Sequence, residues 1–212
     1  MARTSKRDWL EAGLRILATQ GALALTIERL TTALGLSKGS FYHHFQGLPG
    51  YKAALLAFVE TEWREQVARA AGHADSPAAG MMRLFDVAVA ETPELEIAFR
   101  AWALQDEEVR EVQARMDRQR YDHIRALCQQ LLADDAQALT MSRLAQALMI
   151  GGPQFQPPLP LAARRALLDE LLRLYDVDTL TAGAHAVAQC STMQTGQAES
   201  ELDEEVIHYA QL

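Results

Sequence analysis

The sequence has few cysteines and no long apolar segment, and both features narrow what the chain can be. Among its 212 residues only Cys128 and Cys190 are cysteines, and they form no C-x-x-C pair. Neither a disulfide framework nor a cysteine metal cluster is therefore expected. No apolar run approaches the roughly 20 residues of a membrane-spanning helix. The first residues lead into an amphipathic helix rather than a signal-peptide core, so we expect a cytoplasmic protein with no membrane partner.

Recognisable enzyme motifs are missing as well. The chain has no G-x-S-x-G, no H-E-x-x-H and no phosphate-cradling glycine loop. His43 and His44 are adjacent, so they cannot both project from one helix face, which argues against a metal pair there. We predict no catalytic residue, no metal site and no cofactor.

The net charge of −8 is divided unevenly along the chain. Residues 1–59 carry seven Lys and Arg against three Asp and Glu, whereas residues 60–212 carry 13 against 25. The N-terminal part is therefore basic at +4, and the remainder is acidic at −12. Contact with phosphate requires a basic surface, and an acidic remainder is repelled by nucleic acid. This division predicts that the protein docks on nucleic acid through its N-terminal part alone.

Residues 26–45 are predicted to form two short helices joined by a tight turn. Gly35 supplies the backbone freedom needed to leave the first helix, and Ser37 is placed to cap the second. The apolar residues of the first helix recur at helical spacing. They are Ile27, Leu30 and Leu34.

The second helix of this pair has a slim, polar leading edge and an apolar inner face. Lys38, Gly39 and Ser40 form its first turn, and Phe41 and Phe45 are one turn apart. The lysine amine can reach a guanine edge or a phosphate, glycine permits close backbone approach, and serine can donate to either. An anchored first helix and a slim second helix are the elements of a helix-turn-helix that enters a major groove.

This segment closely resembles the DNA-binding head of the TetR (tetracycline-repressor) family of bacterial regulators. The resemblance lies in Leu25-Thr26, in Ala33–Ser37 and in the aromatic and histidine-rich run Gly39–Phe45. It covers roughly the first 60 residues. From about Pro77 to Tyr175 it is weaker and lies mostly in the arrangement of helices. It implies an all-α fold in which a three-helix helix-turn-helix head precedes a helical domain for ligand binding and dimerisation.

The resemblance also implies roles for individual residues of the head. Thr26 would bond a phosphate, Tyr42 and His43 would contact the DNA backbone or a base, and His44 would lie near phosphate. The alternative for Tyr42, His43 and His44 is packing against the first and fourth helices. Where the family has a lysine at the start of the fourth helix, this chain has Leu48, and Lys52 is the nearest base.

The candidate DNA contacts come from the chemistry of the residues and from the family resemblance. Arg29 is included for sequence-independent phosphate contact, for which simple solvation is the alternative. The set is Thr26, Arg29, Ser37, Lys38, Gly39, Ser40, Tyr42, His43, His44 and Lys52.

Outside this segment the apolar residues also recur at helical spacing, and none of the chain shows the alternation of apolar and polar residues that marks a β-strand. Ser5 and Asp8 resemble a capping box for the first helix, which extends to about Gln20. The later helices are expected over residues 51–71, 77–90, 93–104, 106–133, 136–150 and 161–175. We divide the chain into a head of residues 1–50, a helical body of residues 51–178 and an acidic C-terminal extension of residues 179–212. Helix 51–71 links the head to the body. A short helix is expected over residues 179–189 of the extension.

The body is expected to bind an effector and to form the dimer, as the resemblance implies. Helices 136–150 and 161–175 would pair with their symmetry mates as a four-helix bundle. Arg100 and His123 are the polar groups expected to orient a ligand in an apolar pocket, although each pocket candidate also fits the description of an ordinary core residue. The candidates are Met82, Phe85, Phe99, Arg100, Trp102, Met116 and His123.

Together these features predict a sequence-specific DNA-binding regulator. We expect a homodimeric repressor that binds a palindromic operator in double-stranded DNA and is released by a small-molecule effector. One alternative is a DNA-binding protein of the same fold that has no effector, or an activator. Another is a helical enzyme or adaptor whose head is vestigial.

Overall fold

The computed structural model describes residues 4–71, 76–90 and 93–175. Within these ranges all regular structure is helical, which confirms the expected all-α class. The α-helices are α1 (Lys6–Gln20), α2 (Ile27–Leu34), α3 (Lys38–His44), α4 (Gly47–Ala71), α5 (Pro77–Ala90), α6 (Pro93–Ala103), α7 (Glu107–Leu131), α8 (Asp135–Gly151) and α9 (Leu161–Leu174). Short 3-10 helices cover Ala22–Ala24 and Gly152–Gln154. The extension 179–212, with its expected helix 179–189, lies outside the described residues.

The ends of α1 and α2 are set by the residues that the sequence indicated. Ser5 and Asp8 form the capping box, with the Ser5 amide donating to Asp8 Oδ2 at 2.6 Å. Gly35 ends α2 in the left-handed conformation, at φ 65° and ψ 32°. The Leu36 amide then donates back to the Thr31 carbonyl at 2.9 Å, which closes the turn. This turn sets the direction in which α3 leaves α2.

Two helix starts differ from the expectation. α4 begins at Gly47, not at Tyr51, because Pro49 falls in the first turn, where a helix does not need the amide that proline lacks. α8 begins one residue earlier than expected and is capped by Asp134, whose side chain accepts from the Gln137 amide at 2.8 Å. In both cases a predicted loop or cap residue belongs to the helix itself.

A first apolar cluster joins the head to α4, α6 and α7. Its head residues include Trp9 and Phe41, both 0% exposed. Phe99 from α6 and Val109 from α7 belong to the same cluster. α1 packs extensively against α6, so part of the body completes the core of the head.

A second apolar cluster fills the space among α5, α7, α8 and α9. Many of its side chains are completely buried and none is charged, so it is an ordinary close-packed interior. Its fully buried members are Met81, Leu84, Phe85, Ile124, Cys128, Met141, Ala145, Leu168 and Leu172.

One buried hydrogen bond joins the start of α4 to α1. The Tyr51 hydroxyl donates to the Trp9 carbonyl at 2.9 Å, and burial raises the pKa of this tyrosine. The phenol reaches that carbonyl by passing over Gly13, where an added Cβ would overlap the Tyr51 hydroxyl oxygen. α1 therefore needs a glycine at this position for α4 to approach it.

We expect Gly13→Ala to lower the free energy of unfolding by about 2 kcal/mol, because the new methyl group displaces the Tyr51 ring from a packed core. Urea denaturation of the full chain measures this change. Gly39→Ala is the matched control: its Cβ would meet nothing closer than Ser37 Oγ at 3.6 Å. That change should be neutral or stabilising by up to about 1 kcal/mol. Equal stability of the two variants would contradict the proposed close approach.

Candidate nucleic-acid interface and internal cavities

Helix α3 has one buried face and one exposed face. Phe41 is 0% exposed, and its ring lies 5.5 Å from Trp9 in an edge-to-face arrangement. Phe45 lies 5.2 Å from Phe41, again measured between ring centroids. The opposite face is open to solvent and carries candidate contact residues. Its exposed members are Ser37, Lys38, Gly39, Tyr42 and His43.

The two hydroxyl residues before α2 and α3 act as helix caps. Thr26 Oγ1 accepts from the Arg29 amide at 3.2 Å, and Ser37 Oγ accepts from the Ser40 amide at 3.3 Å. A hydroxyl that accepts one such bond still has its own hydrogen to donate. Both caps therefore combine a structural role with the capacity to donate to a phosphate oxygen.

Lys38, at the front of α3, is held by a carboxylate of α2. Its amine lies 2.5 Å from Glu28 Oε1, and both side chains are more than half exposed. The hydrogen bond from Lys38 lowers the pKa of Glu28, and Glu28 in turn raises the pKa of Lys38. Contact between Lys38 and DNA requires the amine to exchange Glu28 for a phosphate or base. The residues are ten positions apart, so no helical spacing in the sequence indicated this pair.

Three ring residues near the end of α3 have different surroundings. Tyr42 is 58% exposed, with its ring edge-to-face to Phe41. His44 is half-buried, and its ring lies 6.5 Å from that of Trp9. His43 is exposed, with its ring 5.1 Å from that of His44. The packing alternative thus describes the position of His44, whereas Tyr42 and His43 lie on the exposed face of α3.

Lys52 is paired with two carboxylates of the body. Its amine lies 2.6 Å from Asp106 and 2.9 Å from Glu108, at the start of α7. Burial lowers the pKa of Lys52, but these bonds outweigh that effect and the net shift is upward. A phosphate would have to compete with two carboxylates for this amine, so we leave Lys52 out of the proposed interface. Arg29 remains exposed and donates to the Gln20 side chain.

The candidate pocket residues do not line a single space. Met82 and Phe85 belong to the second cluster. Trp102 lines a cavity of ≈ 370 Å³ at the start of α4. Phe99 and Met116 line another, of ≈ 240 Å³, among α1, α4, α6 and α7. His123 lies on α7, where burial lowers its pKa.

Arg100 belongs to a buried ion-pair network beside the smaller cavity. Its guanidinium donates to both oxygens of Asp117, at 2.8 and 2.9 Å, and to Glu96 at 2.7 Å. Arg120, 4% exposed, lies 3.5 Å from Asp117 and stacks 4.5 Å from the centre of the Trp63 ring. Burial lowers the pKa of Arg100, yet its carboxylate partners produce a net increase. Arg100 therefore joins α6 to α7 and does not line the cavity, whereas its partner Glu96 does.

Comparison with known proteins addresses the identity of this fold. Residues 10–57 match the family described as bacterial regulatory proteins, tetR family. The match covers the capped helix pair and the exposed face of α3. Within these residues the chain is similar to TetR-family regulators, and this match supports a DNA-binding regulator.

TetR-family proteins of known structure share the fold over most of this chain. One from Streptomyces coelicolor is 20% identical, with 81% of this chain and 95% of that chain covered and a TM-score of 0.64. One from Haloarcula marismortui is 15% identical, with 80% and 96% covered and a TM-score of 0.62. A regulator from Saccharomonospora viridis, solved in complex with choline, is 15% identical, with 79% and 95% covered and a TM-score of 0.65.

The comparison with curated proteins finds no match to this sequence. Among the residues that the structure describes, no helix combines the length and apolar character needed to cross a membrane.

The competition of Glu28 for the Lys38 amine can be tested by removing the Glu28 carboxylate. Glu28→Gln should strengthen binding to a random duplex by about fivefold at low salt, because the lysine loses its competing carboxylate. Fluorescence anisotropy across a salt series measures the change, which should diminish as salt rises. Glu107→Gln, an equal charge change at the start of α7, is the control. Equal gains in both variants would mean that only net charge matters.

Proposed function

We propose that this protein is a homodimeric repressor that binds a palindromic operator through α3 and is released by a small-molecule effector. The observation that carries the proposal is the two-faced α3. Its inner aromatic residues are buried against α1, so the exposed residues from Ser37 to His43 are held on a fixed support. A short helix supported in this way is suited to entry into a major groove.

Exposed leucines on α8 and α9 support the homodimer. Leu144 and Leu167 are each 47% exposed and Leu174 is 70% exposed. Leu167 and Leu174 are seven residues apart, so they lie on the same side of α9, and α8 packs against α9. Large apolar side chains grouped on adjacent helices are typical of a protein interface. Pairing of α8 and α9 with their symmetry mates would bury them.

A two-fold dimer contacts more base pairs than a single α3 can. One helix reads only a few base pairs, and two related helices spaced by about one DNA turn, roughly 34 Å, read two half-sites. The operator of such a dimer is palindromic. Binding by the basic head is also consistent with the acidic charge of the remaining chain.

Release by an effector is supported by the cavities that adjoin α4. α4 carries residues of both cavities as well as Tyr51, which contacts α1. A ligand that favours another position of α4 would therefore change the placement of α3. To move a 1:99 equilibrium to 99:1, the ligand must prefer the non-binding state by about 5.5 kcal/mol. The fold relative solved with choline supports the capacity of this architecture to hold a small molecule.

Lys38→Ala distinguishes two roles for the recognition lysine. Loss of a base contact should weaken operator binding by about 1–3 kcal/mol and relax sequence preference. Loss of a phosphate contact should weaken all duplexes and reduce the salt slope by about one. Titration of operator and scrambled duplexes measures both quantities. Arg110→Ala, a change of exposed charge on α7, is the control and should alter neither.

Leu167→Glu tests the dimer interface. A carboxylate at the centre of an apolar interface should shift the protein to monomer, because its charge would be buried without a partner. Operator affinity should fall with it. Sedimentation velocity reports the oligomeric state. Leu104→Glu is the control, since Leu104 is 82% exposed at the end of α6. A dimer that survives Leu167→Glu would place the interface elsewhere.

Selection of binding sites from random duplexes by the full chain tests the proposed function as a whole. We expect a palindrome whose half-sites are about one helical turn apart. A monomeric protein that enriches no sequence would overturn the proposal.

A further inference from the structure

We propose that the cavity among α1, α4, α6 and α7 binds a small aromatic primary ammonium ion, and that this ion displaces Arg7 from Glu62. This inference names the ligand class and the site of the effector, and to that extent rests on the proposed function. Its chemical part, binding of the ammonium ion in this cavity, is independent of any effect on DNA.

The cavity has the size and walls for a ligand with one aromatic ring. Its volume is ≈ 240 Å³, whereas the second apolar cluster is filled by side chains that are 0% exposed. Aromatic and aliphatic walls bury the apolar part of a ligand, and a few polar groups orient it. The apolar lining residues are Leu14, Phe58, Val59, Leu95, Phe99 and Met116.

The cavity already holds a cation that belongs to the protein. The Arg7 guanidinium lies 5.2 Å from the centre of the Phe58 ring and 3.0 Å from Glu62. It also bonds Glu11 at 2.7 Å. The Arg7 side chain is 58% exposed, so a competing cation can replace it without unfolding the surrounding helices. An aromatic face beside a carboxylate is suited to an organic ammonium ion for the same reasons that it suits Arg7.

The charges around the cavity leave one carboxylate in excess. Glu96 lines it, and Glu96 and Asp117 are matched by Arg100 and Arg120 in the buried network. The other side has Arg7 against two carboxylates, Glu11 and Glu62. This imbalance favours a ligand of charge +1 and opposes an anion.

An unpaired acceptor favours a ligand with N–H groups. Gln66 lines the cavity, and its Oε1 atom is buried and accepts no hydrogen bond from any described residue. A buried acceptor without a donor is costly. A primary ammonium ion has three N–H groups, enough to reach both Gln66 and Glu62. A quaternary ammonium ion could not satisfy Gln66.

The larger cavity does not select for a cation in the same way. Its charged lining residues are Lys52 and Glu108, and these two already bond each other at 2.9 Å. A ligand there would meet charges that are satisfied within the protein.

Displacement of Arg7 gives the ligand a route to the recognition helix. The Arg7–Glu62 pair joins α1 to α4, and α1 also supplies Trp9, against which Phe41 of α3 packs. A ligand that takes Glu62 removes one tie between α1 and α4. The head is then less restricted relative to α4.

Isothermal titration of the full chain without DNA tests the chemical part of the proposal. The probes are phenethylammonium, the neutral 2-phenylethanol and the anionic phenylacetate, which are similar in size and differ in charge. We expect phenethylammonium to bind at least about tenfold more tightly than 2-phenylethanol, as one hydrogen bond to a charged group implies. Phenylacetate should not bind.

Two variants with matched controls locate the site. Gln66→Leu should weaken phenethylammonium binding by about tenfold, and Gln119→Leu, at an exposed position of α7, should not. Arg7→Met should tighten binding by up to about fivefold, because the competing cation is gone. Arg15→Met, at an exposed position of α1, is its control. A purely structural role for Arg7 would not produce tighter binding.

The outcomes separate this inference from the proposed function. Equal binding of the three probes, or binding unchanged in both Gln66→Leu and Arg7→Met, overturns the cavity assignment even if another compound releases the operator. Binding with the expected variant pattern, but without any change in operator affinity by anisotropy, supports the ammonium site and overturns its role as the effector site. Binding together with loss of operator affinity supports both.

Discussion

The structure depends on the contact between α1 and the aromatic residues that follow the turn after α2. Trp9 receives the ring of Phe41 on one side, and its carbonyl accepts the buried hydrogen bond from Tyr51. A helix of seven residues has little stability of its own, so α3 keeps its position because its inner rings are packed. The same contact anchors the start of α4. The exposed face of α3 and the helix that follows it therefore share one support.

Ion pairs hold α4 to its neighbours along its length. Near its start, Lys52 is bound by acidic residues of α7, and in its middle, Glu60 accepts two hydrogen bonds from Arg115, also of α7. Arg115 therefore reaches across from α7 to α4. These cross-helix pairs fix α4 to the body. The Arg7–Glu62 pair fixes it to α1 of the head, so ion pairs hold α4 on both sides.

Sequence reasoning was most successful where the cause of structure is local. The capping box at Ser5, the left-handed Gly35 and the inward Phe41 each follow from a residue type and its immediate neighbours. Contacts between distant segments were not accessible in this way. The Lys38–Glu28 pair depends on the angle between two helices, and the cavity depends on how four helices meet.

The shared apolar cluster limits how this protein can be divided experimentally. The family match ends at residue 57, but the side chains of Phe99 and Val109, which complete the cluster around Trp9, come from much later in the chain. A fragment cut at residue 57 would expose apolar surface that the intact molecule covers. Truncation would thus alter the support of α3 as well as remove the later helices, and weak DNA binding by such a fragment could not be assigned to either cause.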